Sequence, residues 1–507
     1  MYGATRCEVA RWAPRLSKSR FQAGLQCPKY LWLLCNAPHL ADPVGETQQA
    51  VFDQGHAVGA LARRLFPGGV LVEEDHTQTA QALETTQCLL TDGASCLYEG
   101  AFRHDGVLVR SDALFREDGS NWSLVEVKSS TEVKPEYITD LAIQTYVLRG
   151  AGVPVASSRV LHLDSSYVYP GGPYDLGRLF TMVDVTAEVG AFLPSIPGLL
   201  SQMRQMIAGP TPQTQISRRC TQPYTCPFHG HCHSWLPDFP VTEIPRASDE
   251  LLCSLLAEGY CSIREVPLTF AGLSANQRAV CRVIQSGEPH FDPALRDALR
   301  GLSEPIHFLD FETFRSALPV HAGTRPYQAL PVQWSCHTLH SGGLLEHTEF
   351  LHTGTTDPRR GFAHSLLRVL DAGGPADGRI VVYTSYENTI LTSLAHDLPE
   401  FAAGIHAIQA RLFDLHEIIK DHVQHPDFHG RTSLKYVLPA LVDDLSYEGL
   451  AVPNGEVAML RWADAVYGEA PESVREAIFA DLRTYCATDT LALVRLYQTL
   501  LAGDDGP

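Results

Sequence analysis

Apolar and polar positions alternate over two neighbouring stretches, Val107-Leu108-Val109-Arg110-Ser111-Asp112-Ala113-Leu114-Phe115 and Trp122-Ser123-Leu124-Val125-Glu126-Val127-Lys128. A period of two predicts strands, and the turn signal Asp118-Gly119-Ser120-Asn121 between them predicts a hairpin. On the second strand Leu124, Glu126 and Lys128 share one face, and Val125 and Val127 share the other. Helical spacing surrounds the hairpin. It opens after Leu16 with Ser17 or Ser19 as N-cap, resumes after Cys27-Pro28 through Leu33, returns over 52–62 and 80–91, and runs from Lys134 to Gly150. A further strand is predicted over 160–164.

After Pro237, Pro240 and Pro245 the pattern changes to short helices over 249–258, 275–285 and 292–302. Ile306-His307-Phe308-Leu309-Asp310-Phe311-Glu312-Thr313 then predicts a strand with two acids on one face. Residues 332–339 alternate as the next strand, and 342–350 follow as a third. A helix over 361–372, a buried strand over 379–383 and a helix through Leu394 come next. Asp414 follows an apolar run, Ser433-Leu434-Lys435-Tyr436 opens a helix, and a long final helix carries Tyr485 and Asp489 to about Leu501. This succession predicts an α/β domain with a mixed sheet. The expected organisation is a first domain over 1–235, a helical connector over 236–300 and a second domain over 301–507.

The length of 507 residues exceeds one core and suits two or three domains. With 45% hydrophobic and 19% charged residues the composition is that of a globular chain, and no apolar run approaches a membrane span. Arg, Glu, Pro and Lys break up the first twenty residues, so no secretory signal is expected and the location expected is a bacterial-type cytoplasm. A net charge of −19 argues against a generic polyanion binder. It leaves room for a carboxylate-rich metal site with a local basic groove. Among the 13 cysteines, Cys88, Cys253, Cys261, Cys281 and Cys336 sit in apolar contexts and are expected to be buried, as suits a reducing compartment.

Three groups carry candidate chemistry. Asp112, Glu126 and Lys128 converge at one end of the predicted hairpin. Two carboxylates hold a hard divalent cation, and a lysine beside them orients water and offsets phosphate charge. The alternative is a salt-bridged surface strand. His56, on an upstream helix, offers an imidazole to such a site. Cys220, Cys226 and Cys232 repeat every six residues among Pro and Gly, a spacing that suits a loop wrapped around a metal rather than a helix or strand. Four thiolates serve either zinc or an iron–sulfur cluster; Cys27 is the candidate fourth, while His229, His231 and His233 would favour zinc. In the second domain Asp310 and Glu312 are costly to bury on an apolar strand unless paired or bound to metal, and Tyr485 and Asp489 share a helix face.

The first 230 or so residues resemble the RecB-like branch of the PD-(D/E)XK nucleases, and within it the CRISPR-associated and helicase-linked exonucleases with a 4Fe–4S cluster. In that family one cysteine lies near the N-terminus and three follow the nuclease core, a layout that Cys27, Cys220, Cys226 and Cys232 fit. The family's His, Asp, Glu-x-Lys order falls on His56, Asp112, Glu126 and Lys128, and its helix Gln and Tyr on Gln144 and Tyr146. The second domain resembles the DnaQ-like, ribonuclease-H-fold 3′→5′ exonucleases of the DEDD group. Their Asp-x-Glu matches Asp310 and Glu312, and their Tyr-x-x-x-Asp matches Tyr485 and Asp489. The second motif falls on Glu387, where most members have Asp, with Asp414 in reserve. The Gly323-Thr324-Arg325-Pro326-Tyr327-Gln328 loop and the Ser433-Leu434-Lys435-Tyr436 segment also look like a bacterial family catalogued only as a domain of unknown function.

These resemblances imply a restriction-endonuclease-like domain and a ribonuclease-H-like domain. They imply Mg²⁺ or Mn²⁺ at His56, Asp112 and Glu126 and at Asp310, Glu312, Glu387 and Asp489, with Lys128 and Tyr485 as catalytic groups. Arg325, Lys435, Gln144 and Tyr146 become candidates for phosphate or substrate contact, and Tyr327 or Trp334 for base stacking. The expected activity is phosphodiester hydrolysis on DNA, at single-stranded ends, in repair or processing. RNA is the other polymer the chemistry admits, and a helicase or repair partner stays unnamed. The competing expectation is a nucleic-acid-binding scaffold with one or both sites inactive.

Overall fold

The computed structural model describes residues 16–117, 119, 121–302, 304–370 and 378–502. Asp118 and Ser120 of the expected turn, Ala372 and most of the N-terminal stretch lie outside these. The chain divides into two compact units, Met1–Trp235 and Leu236–Pro507. Each has its own mixed α/β architecture, and among the described residues no helix is long and apolar enough to cross a membrane.

The first unit is built on a seven-stranded sheet: β1 (Leu16–Ser17), β2 (Val70–Leu71), β3 (Cys96–His104), β4 (Val107–Arg116), β5 (Trp122–Lys128), β6 (Val155–Leu163) and β7 (Phe180–Asp184). The order is β2-β3-β4-β5-β6-β7, with β1 beside β4. β4 and β5 pair antiparallel with Leu114 opposite Leu124, so the expected hairpin strands are present. β3 has no counterpart in the sequence analysis. Six of its nine residues are buried, on both faces, so it shows no alternation to detect. Five helices matter here: α1 (Lys18–Gln26), α2 (Pro28–Asn36), α3 (Glu46–Ala62), α4 (Thr79–Thr91) and α5 (Pro135–Gly150). Ser17 caps α1, its hydroxyl accepting from the Arg20 amide at 3.3 Å. α3 starts earlier than position 52, because exposed Val51 and Phe52 belong to its solvent face. α5 crosses between the parallel strands β5 and β6. It buries Tyr137, Leu141, Ile143, Val147 and Leu148 in one cluster with Val109, Leu114, Leu124 and Val160.

The second unit holds a five-stranded sheet of order β11-β10-β9-β12-β13. Its strands are β9 (Ile306–Phe314), β10 (Leu330–Leu339), β11 (Leu345–Leu351), β12 (Ile380–Val382) and β13 (Leu412–Asp414); β8 (His290–Phe291) and β14 (Val423–Gln424) form a separate pair. β9, β10 and β11 run antiparallel in turn, whereas β12 and β13 run parallel to β9. All ten residues of β10 are buried, although its sequence alternates, because helices cover both faces of the sheet. Phe308 packs with Leu438, Leu493 and Leu496 on one side. Leu309, Phe311 and Trp334 pack with Phe362, Leu366 and Leu391 on the other. The final helix, Glu472–Ala502, is 31 residues long.

Residues 236–300 belong to this second unit. The helices Asp249–Ala257 and Ala275–Ser286 surround a core of Val241, Leu255, Ile263 and Cys281, while the short helix Leu295–Leu299 packs with Phe308 and Leu496. His429 Nδ1 lies 2.7 Å from Glu243 Oε2, and its ring stacks on Phe239. Of the five cysteines expected to be buried, Cys88 and Cys253 are exposed on helices and Cys261 is half-buried, while Cys281 and Cys336 are buried. An apolar neighbourhood in sequence does not fix which helix face a cysteine takes.

The α5 packing sets a stability test. Leu141→Ala is expected to cost about 2–5 kcal/mol, and exposed Val51→Ala less than about 0.5 kcal/mol, in urea denaturation followed by circular dichroism. Equal costs would sink the core assignment.

Candidate metal centres

β9 places Asp310 and Glu312 on the face covered by the final helix, because alternate residues of a strand share a side. The final helix brings Tyr485 and Asp489, one turn apart, to the same place. One ligand atom each from Asp310, Glu312 and Asp489 lies within 4.8 Å of the others. Among the described residues no other trio of His, Cys, Asp or Glu does so. Glu387 joins from the first turn of the helix Tyr386–Asp397, which follows the buried strand β12. Its side chain is 2% exposed, and its Oε2 has no hydrogen-bond partner. Gly455, at the start of the helix Gly455–Tyr467, leaves room for Glu312; a Cβ there would lie 3.3 Å from Oε2.

None of these four carboxylates forms an ion pair among the described residues. Burial and the neighbouring Asp489, Glu312 and Glu387 hold Asp310 well above the usual carboxylate range. Burial, with Asp489 and Glu387, does the same for Glu312. Glu387 is pushed up to about 8 by burial, then Asp414 and Asp489, and Asp489 to about 6 by burial against opposing hydrogen bonds from Tyr447 and Tyr485. Tyr447 donates its hydroxyl to Asp489 Oδ1. Burial and the surrounding carboxylates hold Tyr485 far above its ordinary value, so it is a phenol and a donor rather than a base. Cys486 Sγ lies 3.6 Å from Asp310 Oδ2. Asp414 does different work: its Oδ1 accepts from the Thr384 and His416 amides at 3.0 and 2.9 Å, capping the helix Leu415–His422.

The first unit has a second acidic centre with a different charge balance. Glu126 is 2% exposed. Its Oε1 accepts from Lys128 Nζ at 2.7 Å and from Lys18 Nζ at 2.9 Å, and its Oε2 from Gln144 at 2.6 Å. Asp140 accepts from Lys128 at 2.9 Å and lies 3.5 Å from Lys18. Asp112 accepts from the Val127 amide at 2.7 Å. Although burial opposes ionisation, Lys128 and Lys18 hold Glu126 well below the usual range. Asp112 is pushed up to about 7 by burial and then by Glu126. The Lys128 ammonium sits 5.0 Å from the Tyr137 ring. The side chains α5 contributes are thus Tyr137, Asp140 and Gln144, spaced on one face.

Several expected residues stand elsewhere. Tyr146 points to the β3–β4 turn, bonding Asp105 at 3.3 Å, because two residues on from Gln144 is another face of the helix. His56 is exposed on α3, outside the Glu126 network. Arg325 is half-buried; Tyr327 is exposed at φ +59°; Lys435 is exposed in the first turn of the helix Leu434–Leu441. Gln328 is half-buried and donates to Asp397. Trp334 is buried and bonds Ser365, so it offers no stacking face.

The N-terminal helices meet the end of the first unit at the cysteines. Cys27 caps the junction of α1 and α2, and the adjacent Gln26 donates to the Arg219 and Tyr224 carbonyls at 2.7 and 2.8 Å. The Cys226 amide donates to the Cys220 carbonyl at 2.8 Å. Cys232 lies in a short helix, His229–His233, contrary to the loop expected. Burial pushes the Cys226 thiol up to about 11, with Cys232, Cys27 and Cys220 adding to it. No three of these sulfurs lie within 4.8 Å of one another among the described residues. A tetrahedral zinc site would need sulfurs about 3.8 Å apart.

A family model described as a domain of unknown function (DUF2779) matches residues 307–433. That stretch holds the Gly323 loop, Asp310, Glu312, Glu387 and Asp414. No curated protein matches. Solved structures similar to part of the chain include an alkaline exonuclease (LHK-Exo) from Laribacter hongkongensis, 14% identical over 39% of this chain and 91% of that one, with a TM-score of 0.23. The same protein in complex with dAMP gives 14% identity, the same coverage and a TM-score of 0.24. Likenesses of this size carry no assignment.

The uncompensated centre makes stability depend on pH and metal. Unfolded carboxylates release protons near pH 4, whereas Asp489 and Glu387 hold theirs to about 6 and 8. The folded chain therefore binds more protons across this window, and its stability falls as pH rises from about 4 to 8. Mn²⁺ or Mg²⁺ at pH 8 is expected to restore about 2.7 kcal/mol at a hundredfold excess over Kd. Thermal unfolding at pH 5 and 8, with and without the ion, reads this out; indifference to metal at pH 8 counts against the centre.

Proposed function

We propose that the chain is a metal-dependent nuclease with two hydrolytic centres, a DEDD-type, ribonuclease-H-like domain in the second unit and a RecB-like PD-(D/E)XK domain in the first. Its substrate is DNA with single-stranded ends. The observation that carries this is the quartet Asp310, Glu312, Glu387 and Asp489, without a cationic partner among the described residues and with a buried, unpartnered Glu387 oxygen. Burying such charge is unfavourable unless a cation arrives. An oxygen-only donor set suits Mg²⁺ or Mn²⁺. The order of three strands, helix, strand and helices in this unit agrees with the resemblance. The Glu in place of Asp at 387 is accommodated, since its charge bears on both Asp310 and Glu312.

Bound divalent ions supply an activated water and a charge clamp on the leaving oxygen. The chain's own groups do the rest. Asp310, Glu312, Glu387 and Asp489 fix where those ions stand. Tyr447 holds Asp489 in one orientation. Tyr485, kept as a phenol with its hydroxyl given to Asp489, offers its oxygen as the acceptor that orients the attacking water. In the first unit Asp112, Glu126 and Asp140 are the ligand candidates, and Lys128 offsets charge on the phosphate as the P–O bond breaks.

For the cysteines we propose a 4Fe–4S cluster held by Cys27, Cys220, Cys226 and Cys232. Two observations support it: Gln26, beside Cys27, is bonded to the segment that carries Cys220 and Cys226, and no three of the four sulfurs come within 4.8 Å of one another, a wider spacing than a single zinc ion requires. Such a cluster would tie α1 and α2 to the end of the unit.

End-labelled single-stranded DNA with Mg²⁺ or Mn²⁺ tests the activity. Asp310→Ala and Lys128→Ala are each expected to remove one component, and the double variant to lose at least about a hundredfold in rate. A wild type that cuts neither DNA nor RNA overturns the proposal. Anaerobic purification is expected to give a brown protein with about four irons per chain; a colourless, zinc-loaded protein would refute the cluster.

A further inference from the structure

We infer that Lys18 is the built-in counter-ion of the first unit's acidic centre, and that a divalent cation enters there in competition with its ammonium group. The inference rests on the reading of that centre as a metal site. Lys18 and Lys128 converge on the same atom, Glu126 Oε1, at 2.9 and 2.7 Å. Both also reach Asp140. Two ammonium groups on one carboxylate oxygen repel each other and are held there by the shared acids.

Charge and geometry then separate the two lysines. Asp112, Glu126 and Asp140 against both lysines leave one uncompensated formal charge, which suits no divalent ion. Against Lys128 alone they leave two, which one divalent ion neutralises. Lys128 is fixed by its strand, two residues from Glu126, and its head lies over the Tyr137 ring. Lys18 comes from 108 residues away, on the first turn of α1, and its side chain is 25% exposed. Rotation of its own long side chain takes the ammonium into water while the helix stays where it is. Gln144 remains, its Nε2 on Glu126 and Asp140 and its Oε1 buried without a hydrogen-bond partner. Among the described residues the second unit's quartet has no such lysine, so the two centres should differ in metal affinity for a reason visible in the side chains.

The test is Mn²⁺ binding, followed by the electron paramagnetic resonance of the free ion, in a full-length chain whose second centre is disabled by Asp310→Asn and Asp489→Asn. Lys18→Met is expected to tighten Mn²⁺ at the first centre about tenfold, the ratio that loss of one charged hydrogen bond produces. Lys18→Arg, which keeps the charge, is expected to stay near the parent. Equal affinity in the parent and Lys18→Met overturns the competition. No Mn²⁺ in any variant overturns the metal reading of the centre as well, which is a distinct result. A second measurement needs no substitution at Lys18: Mn²⁺ should raise the acylation rate of Lys18 several-fold, read by peptide mass spectrometry. An unchanged rate while the ion is bound would also overturn the inference.

Discussion

Burying a carboxylate removes it from water, and each unit of this chain is arranged around how that cost is met. The first unit answers with lysines drawn from α1 and β5, so Glu126 is ionised despite its burial. The second leaves Asp310, Glu312, Glu387 and Asp489 facing one another with hydrogen bonds from Tyr447, Tyr485 and Cys486 in place of cations. Mutual repulsion makes such a cluster a poor contributor to stability on its own. Its retention in the middle of a well-packed sheet is intelligible if charge is to be delivered there from outside. The surrounding packing, Phe308 and Leu493 on one face and Phe311 and Trp334 on the other, keeps the acids from spreading apart.

Much of the fold was legible because its signals are local. The β4–β5 hairpin, α5, β9 and the final helix each announce themselves by period, and two acids in the apolar run of β9 stand out. β3, covered on both sides, has no alternation and was not legible in the same way; the helix Gly455–Tyr467 passed without notice although its buried Ala458, Trp462, Ala465 and Val466 lie on one face. The candidate centres divide along the same line. Asp310, Glu312, Tyr485 and Asp489 come from two short spans whose periods place them on single faces. Lys18 and Asp140 were missed, since a lysine at a helix start and an aspartate in a helix look ordinary until the fold brings them to Glu126. Tyr447 lies in an irregular segment, where spacing carries no information. Tyr146 was set beside Gln144 by resemblance, although the helical period puts Asp140, not Tyr146, on that face.

α1 has nine residues, about 13 Å of helix. Its first residue, Lys18, enters the acidic centre, and the residue that closes it, Cys27, enters the cysteine group. One short helix thus carries a residue of each group, and no strand of the sheet lies between Lys18 and Cys27 in the chain.

The way the second centre is mounted also constrains how such a chain can diverge. Asp310 and Glu312 depend on a register of 180° per residue along β9, and Tyr485 and Asp489 on one of about 100° per residue along the final helix. Replacing a side chain elsewhere on either element leaves those angles untouched. Inserting or deleting one residue between the paired positions turns one partner away from the other. The cluster is therefore tolerant of substitution but not of changes in length, and lineages that retain it should accumulate their insertions in the connecting segments, such as 315–329 and 340–344, while these two elements keep a constant count.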